Sequence, residues 1–443
     1  MGASRLVNDS KTQQCPCMAL DEKDQDEKFA ALVNCLSEHG CTVDHLTLTH
    51  VPGAGRGLVA VKAIRPRSFI LRLTENVLIT STTVLTSAVG SAIAKYPGTM
   101  NSFDALCLFL MSEKVRREVS PWRPFLDVLP DEESVLALAF TVDPDRQEEA
   151  AAILPPKCRV KFHEQLLEID SCRRRVLKVW AEAKRLFGLA SMDESDDEKL
   201  FRWAWSCVNS RCIYKENRSP SPMLNNSDGD TIALAPFLDM LNHSANTPVE
   251  CGFCTHTHTF DVFTEGGVAE GQEAFISYGL HTNALLLLEY GFVLDDNPNN
   301  AVYLDHSDLK RLCGKAGITT TDKYWIVLAE SNLPCPLYQT DPEPPWTFMA
   351  TMKLLCMEDE ELNNWHRIYD CASFDEEVRV VELARTLVSE YMAELENSRP
   401  DPMSLYLFPK RFHSMIMQVW RDDITILSDS LVYLDELLND AHC

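Results

Sequence analysis

A second Cys-X-X-Cys pair is missing from this sequence. Its 16 cysteines are scattered over 443 residues, and among them Cys251 and Cys254 alone stand at that spacing. A four-cysteine structural zinc site needs two such pairs, so no metal is expected. His256 and His258 lie close by, but they fall in a Thr-X-Thr-X-Thr-Phe alternation that reads as a strand. Free thiols in a reducing compartment are the expected state. No apolar run approaches the ~20 residues of a membrane span. The start carries no signal-peptide core, and Leu6 stands where a myristoylation signal needs serine or threonine. Nor is there a basic stripe interleaved with aromatics. Asp and Glu total 66 against 41 Lys and Arg, a net charge of -25, which excludes a protein that grips nucleic acid along its whole surface. The cluster Arg173 to Arg175 reads as the solvated face of a helical run. An acidic surface suits a basic protein partner. The expectation is a soluble protein of nucleus and cytoplasm, with no membrane and no direct nucleic-acid partner, monomeric by default.

The chain is long enough for two or three domains, and no short repeat divides it. Residues 1–27 are polar and charged and read as a flexible tail. Residues 28–39 suit a short helix with Phe29, Leu32, Val33 and Leu36 on one stripe. Short strand-like runs follow at 58–61 and 69–73. A mainly helical stretch occupies about 100–230, clearest at 165–187 and 200–208, and 218–230 is loop-like in its Ser, Pro, Asn and Gly content. Strand character returns at 231–234, 257–263 and 274–277. Beyond 295 the pattern is helical, with candidates at 323–329, 348–357, 377–395 and 412–420. A mixed α+β protein follows.

Four segments can carry chemistry. Gly53-Ala54-Gly55-Arg56-Gly57 permits unusual backbone angles and a ligand close to the main chain. It lacks the GxGxxG spacing of dinucleotide sites, and an ordinary tight turn reads the same way. Asp239-Met240-Leu241-Asn242-His243-Ser244 follows an apolar run; it offers polar contacts, or a cap. Phe275-Ile276-Ser277-Tyr278-Gly279 and Glu289-Tyr290-Gly291-Phe292 place two tyrosines beside glycines, as an aromatic pocket or a core would.

Together and in this order, with Ser210-Arg211 between the first two, these segments resemble the SET-domain protein methyltransferases, in the branch related to Rubisco lysine methyltransferase. The resemblance spans roughly residues 45–440. It implies a mainly β SET catalytic region over 28–294, a helical insertion near 100–230, and a helical substrate-binding domain over 295–443. It implies S-adenosylmethionine as cofactor, beside Gly55, Arg56, Gly57, Arg211, Asn242, His243 and Tyr278. Tyr278 takes the catalytic tyrosine position, and Ile213, Asp239, Tyr290 and Phe292 line the substrate side. The implied acceptor is a lysine of a protein, histone H3 or H4 or a non-histone protein. Two departures stand out. Arg72 occupies a region where branch members can carry an acidic residue. Ile213 is apolar where relatives that methylate histidine place a polar residue, which favours a lysine stem over an imidazole. The three-cysteine cluster that follows the core in many histone-modifying relatives is absent.

Overall fold

The computed structural model describes residues 16–51, 55–189, 191–369 and 373–441. They form two compact units, one of the described residues up to 135 with 172–277 and one of 136–171 with those from 278 onward.

In the first unit the chain builds small sheets. β1 (Leu46–Val51) and β2 (Gly55–Ala60) form an antiparallel hairpin, with Val51 opposite Gly55. β3 (Ser68–Thr74) is the edge of a three-stranded sheet of order β3-β8-β7. β4 (Cys212–Tyr214) pairs with β5 (Ile232–Leu234). β6 (Asn242–His243) runs parallel to β9 (Phe275–Ile276). β7 (Val249–Cys254) and β8 (Thr259–Thr264) complete the three-stranded sheet. Along β8 alternate residues Phe260, Val262 and Thr264 are buried, the period-two pattern of a strand covered on one face. Single bridges join the pieces. Val59 pairs with Glu273, Ile64 with Val268, and Ile79 with Leu234. The edge of β2 is thereby fastened to the segment leading into β9.

Arg72 is explained by the sheet register. It faces Asp261 on β8. Its Nε donates to Oδ1 at 3.1 Å and its Nη2 to Oδ2 at 3.0 Å, while the guanidinium lies 4.0 Å from the Phe69 ring centre. The residue that departs from the family pattern is thus one half of a cross-strand ion pair.

Helices occupy the chain between β3 and β4 and begin earlier than composition suggests, at Ser81. The helix Ser102–Val115 is buried on nearly every side, as an apolar-all-round helix must be. Asn101 caps it through a capping box with Asp104. The same Asp104 carboxylate, fully covered, accepts from Arg175 Nε at 2.5 Å and Nη2 at 2.9 Å. Arg173 donates to Glu198 at 2.6 Å. The basic cluster read as a solvated face therefore locks the helix Pro156–Leu186 to its neighbours. The N-terminal reading also changes. A helix runs over Pro16–Glu38, so residues 16–27 are helical rather than tail, and residues 1–15 lie outside the described residues. Its Phe29 ring stacks on Phe237 at 5.5 Å.

The second unit is helical, with one small sheet of β10 (Ala301–Tyr303) and β11 (Pro336–Tyr338). Its main helices are Asn283–Tyr290, His306–Lys315, Asp322–Ser331, Trp346–Cys356, Phe374–Ser398 and Lys410–Ala441. A buried polar network ties the first to the last. Asn283 Nδ2 donates to Asp422 Oδ2 at 2.7 Å and to the Leu294 carbonyl at 2.9 Å. Its Oδ1 accepts from the Leu294 amide at 2.9 Å and from Asn297 at 3.1 Å. Asn300 adds a second donor to Asp422 at 3.0 Å, and Gln418 a third at 2.6 Å. Every hydrogen-bonding atom of the Asn283 amide has a partner, which buried polar groups require.

Next to this network Asp423 carries an acid whose ionisation the fold opposes. Burial, and then the Asp422 carboxylate, push it up to about 8. In an unfolded chain it ionises near ~3.9. Between those values the folded protein holds a proton that the unfolded chain has released, so the Asp423 contribution falls as pH rises from ~4 to ~8. Asp423→Asn is expected to flatten that decline. Urea midpoints measured at half-unit pH steps check it, and parallel curves for the variant and the parent protein would remove the assignment.

Candidate functional site

The glycine hairpin and the Asn242 strand meet at one contact. Asn242 Nδ2 donates to the Arg56 carbonyl at 3.1 Å and to Glu273 Oε1 at 2.7 Å. Gly57 makes this possible. A Cβ there would stand 2.2 Å from Glu273 Oε1 and 2.9 Å from Asn242 Nδ2, so no larger residue fits without displacing both. The sequence suggests Asn242 as donor and acceptor alike. In the fold both N–H bonds of the amide are used internally, and Oδ1 is what remains to accept from a ligand. Gly55 serves differently: its φ of +79° needs glycine, while space around it is open. Gly53 and Ala54 lie outside the described residues. His243 is buried on β6 beside Ile276, and the Ser244 amide donates to the Ile276 carbonyl at 3.0 Å. Tyr278 follows two residues later in the chain.

A charged cluster adjoins the hairpin. Arg211 Nη1 donates to the Asp239 carbonyl at 2.8 Å and to Asp239 Oδ2 at 3.1 Å. The Asp239 side chain is fully covered, and its Oδ1 has no hydrogen-bond partner. Asp239, expected on the substrate side, thus serves to hold Arg211. Arg56 Nη1 donates to the Val128 carbonyl at 2.9 Å. Burial, and then the like charge of Arg211, pull the Arg56 guanidinium down, against the pull of Asp239. Burial pushes the Asp239 carboxyl up, with Arg211 opposing. Asp131 joins Asp239 in opposing the fall at Arg56, so two guanidiniums and two carboxylates share a poorly solvated place. The chain reaches Asp239 through Phe237, whose φ of +79° is rare for an aromatic residue and costs ~1–3 kcal/mol. Its full burial and the stack on Phe29 hold it there.

In the second unit Tyr278, Tyr290 and Phe292 form an aromatic cluster. Ring centres are 4.9 Å apart for Tyr278 and Tyr290, 6.3 Å for Tyr278 and Phe292, and 6.1 Å for Tyr290 and Phe292. Tyr290 ends the helix Asn283–Tyr290. Gly291 terminates it in the left-handed conformation, its amide donating to the carbonyls of Leu286 and Leu287, the usual task of a C-terminal glycine. The Asn283 network at the other end of that helix therefore sets the Tyr290 ring. His281, which sequence reasoning passed over, lies 6.0 Å from Tyr290, and its Nε2 is 3.0 Å from the Tyr278 carbonyl. A Cβ on Gly279 would sit 2.7 Å from that nitrogen.

The first unit thus brings together Gly57, Arg56, Asn242, Arg211 and Asp239, and the second Tyr278, Tyr290 and Phe292. Ile213 lies on β4 opposite Ala233, half-buried. Glu273 is the residue sequence reasoning missed.

The SET-domain family model matches residues 55–279. SET domain-containing protein 4 of Homo sapiens is 31% identical over 317 residues, 72% of this chain and 70% of that protein. Actin-histidine N-methyltransferase of Mus musculus is 24% identical over 380 residues, 82% of this chain and 58% of that protein. The SET domain of LSMT, solved with methyl-lysine and AdoHcy, superposes with a TM-score of 0.63 at 18% identity, over 94% of this chain and 93% of that one.

The close approach at Gly57 is testable without any ligand. Gly57→Ala is expected to cost ~1–3 kcal/mol by overpacking, and Glu273→Ala ~1 kcal/mol by loss of a hydrogen bond. Because the new methyl would occupy the space vacated by the glutamate, the double variant should be more stable than the sum implies by at least ~0.5 kcal/mol. Urea unfolding of all four proteins checks this. Strict additivity would remove the steric account.

Proposed function

The chain belongs to the SET-domain family, and on that premise we propose that it is an S-adenosylmethionine-dependent protein-lysine N-methyltransferase. The observation that carries the reading is the polarity of the hairpin site. Asn242 is left with an acceptor, suited to an ammonium, and Arg56 with Arg211 supplies two guanidiniums beside it, suited to a carboxylate. Those are the two charged groups at the amino-acid end of S-adenosylmethionine. Gly55, with nothing within 4 Å of where a Cβ would stand, leaves the main chain open to that end. When bound, the cofactor supplies a methyl group activated on a sulfonium.

The remaining task falls to the aromatic cluster. A lysine ammonium has no lone pair, so its proton must leave before transfer. Walls formed by the rings of Tyr278, Tyr290 and Phe292 cover the aliphatic stem and exclude water. Desolvation favours the neutral amine. The Tyr278 hydroxyl orients that amine, and the proton departs to solvent. No covalent intermediate with the protein is required. The chain supplies orientation and proximity.

Lysine is preferred to histidine because Ile213 offers no hydrogen bond to an imidazole. Histidine is the second reading, favoured by the likeness to actin-histidine N-methyltransferase. The acceptor protein is proposed to be a histone, H3 or H4 among the candidates, or a non-histone protein, met in nucleus and cytoplasm. The helical residues 295–443 are proposed to bind it, with residues 28–294 as the catalytic region.

Two outcomes are expected. Tyr278→Phe should lower the rate of methyl transfer about 10²–10³-fold, the scale of one lost orienting donor, with cofactor affinity within about threefold of the parent by calorimetry. Equal losses in both would count against its assigned role. Labelled methyl groups transferred into a cell extract, mapped by mass spectrometry, should fall on lysine; label on histidine would move the enzyme to the second reading.

A further inference from the structure

The helical unit contains a trough unrelated to the aromatic cluster. It lies among the helices Trp346–Cys356, Phe374–Ser398 and Lys410–Ala441 and has a volume of about 640 Å3. Its floor is apolar, with Trp346, Met349, Val381 and Leu437 contributing from all three helices. Trp346 is 54% exposed and Leu437 37% exposed. Single exposed apolar side chains are ordinary on protein surfaces. Their convergence on one concave surface, of a size that holds ligands elsewhere, marks a binding surface.

The rim is mainly acidic. Glu343, Glu377 and Asp440 border the trough, and none has a lysine or arginine within ion-pair distance among the described residues. Lys353, the one cation among the lining residues, donates to the Ile368 carbonyl at 3.3 Å. An occupant must therefore place apolar groups on the floor and positive charge along the edges. Nucleic acid fails on charge. A second copy of this chain, itself at -25, gains nothing from an acidic rim. The walls are helices with no open strand edge to extend, which excludes pairing by β-augmentation. A helix with leucine-like residues on one stripe and lysine or arginine beside it meets both demands.

We propose that this trough docks a basic amphipathic helix of a partner protein. The proposal deepens the assignment of residues 295–443 to protein binding, and its test needs neither Tyr278 nor the hairpin site, so it can fail or stand separately from methyl transfer.

The test uses the full chain and a fluorescent leucine–lysine helix about five turns long. Two further peptides accompany it: one of the same composition with the leucines scattered round the helix, and one with glutamate in place of lysine. Anisotropy is expected to show the amphipathic basic peptide binding at least about tenfold tighter than either. Leu437→Asp and Trp346→Ala should each weaken it at least about fivefold. The triple change Glu343→Lys, Glu377→Lys and Asp440→Lys should do the same, while Glu250→Lys, on β7, should leave it unchanged. Both apolar positions are exposed, and thermal midpoints are measured to confirm that each variant folds. Equal binding of the scattered peptide, equal loss in Glu250→Lys, or insensitivity to both apolar changes would overturn the proposal. So would light scattering that finds a dimer dissolved by Leu437→Asp, since the occupant would then be a second copy.

Discussion

One amide group organises the first unit. Asn242 Nδ2 is shared between the Arg56 carbonyl and Glu273, and these three come from strands or strand ends far apart in the sequence. The pairing of β6 with β9 brings Asn242 near the segment that carries Glu273. The bridge from Val59 to Glu273 brings the hairpin to the same place. Gly57 then decides how closely they approach. Without that missing Cβ the hairpin would stand off from β6, and both hydrogen bonds would be lost at once. Elements of two to six residues, too short to be stable alone, are held in register by such contacts rather than by long ladders.

The same logic recurs in the helical unit with different chemistry. Asn283 is saturated by four side-chain hydrogen bonds, and Asp422 collects donors from three residues. A helix of eight residues is marginal by itself. Fastening its first residue to the long C-terminal helix and ending it at Gly291 fixes both termini. The ring of Tyr290 inherits its position from these two ends. Orientation of an aromatic wall thus rests on amides and a glycine that need not touch the acceptor.

What the sequence made legible follows from the range of each interaction. Helices after residue 295 show their period locally, and the segments at 377–395 and 412–420 lie inside observed helices Phe374–Ser398 and Lys410–Ala441. The ordered motifs identified Gly57, Asn242 and Tyr278, and the family match covers them. Glu273 was not legible. It sits in a polar run with Glu270 and Gln272 that resembles any solvated turn, and its partners lie 31 and more residues away. Arg175 was read as solvated for the same reason, and the role of Arg72 was hidden likewise: their carboxylates are 71 and 189 residues distant. A charge looks idle in sequence when its partner comes from another part of the fold. Of the helix Pro16–Glu38, the part over 28–38 was legible from its apolar stripe, whereas the polar residues 16–27 have no such stripe and so no period to detect.

The sign of the charge also separates two ranges of action. The chain as a whole is strongly acidic, yet Arg56 and Arg211 set two positive charges beside the Asp239 and Asp131 carboxylates. In solvent such opposite fields are screened over ~8–10 Å. Burial preserves the local one, because the guanidiniums interact through protein rather than water. The Arg56 carbonyl is meanwhile bound to Asn242, so the residue that carries one of these guanidiniums also helps to hold the Asn242 amide. The two arginines are half-buried, and their charges act over a short range that the acidity of the surface does not reach. Glu273, Asn242 and Val51 close around Gly57 and keep the amide beside the hairpin.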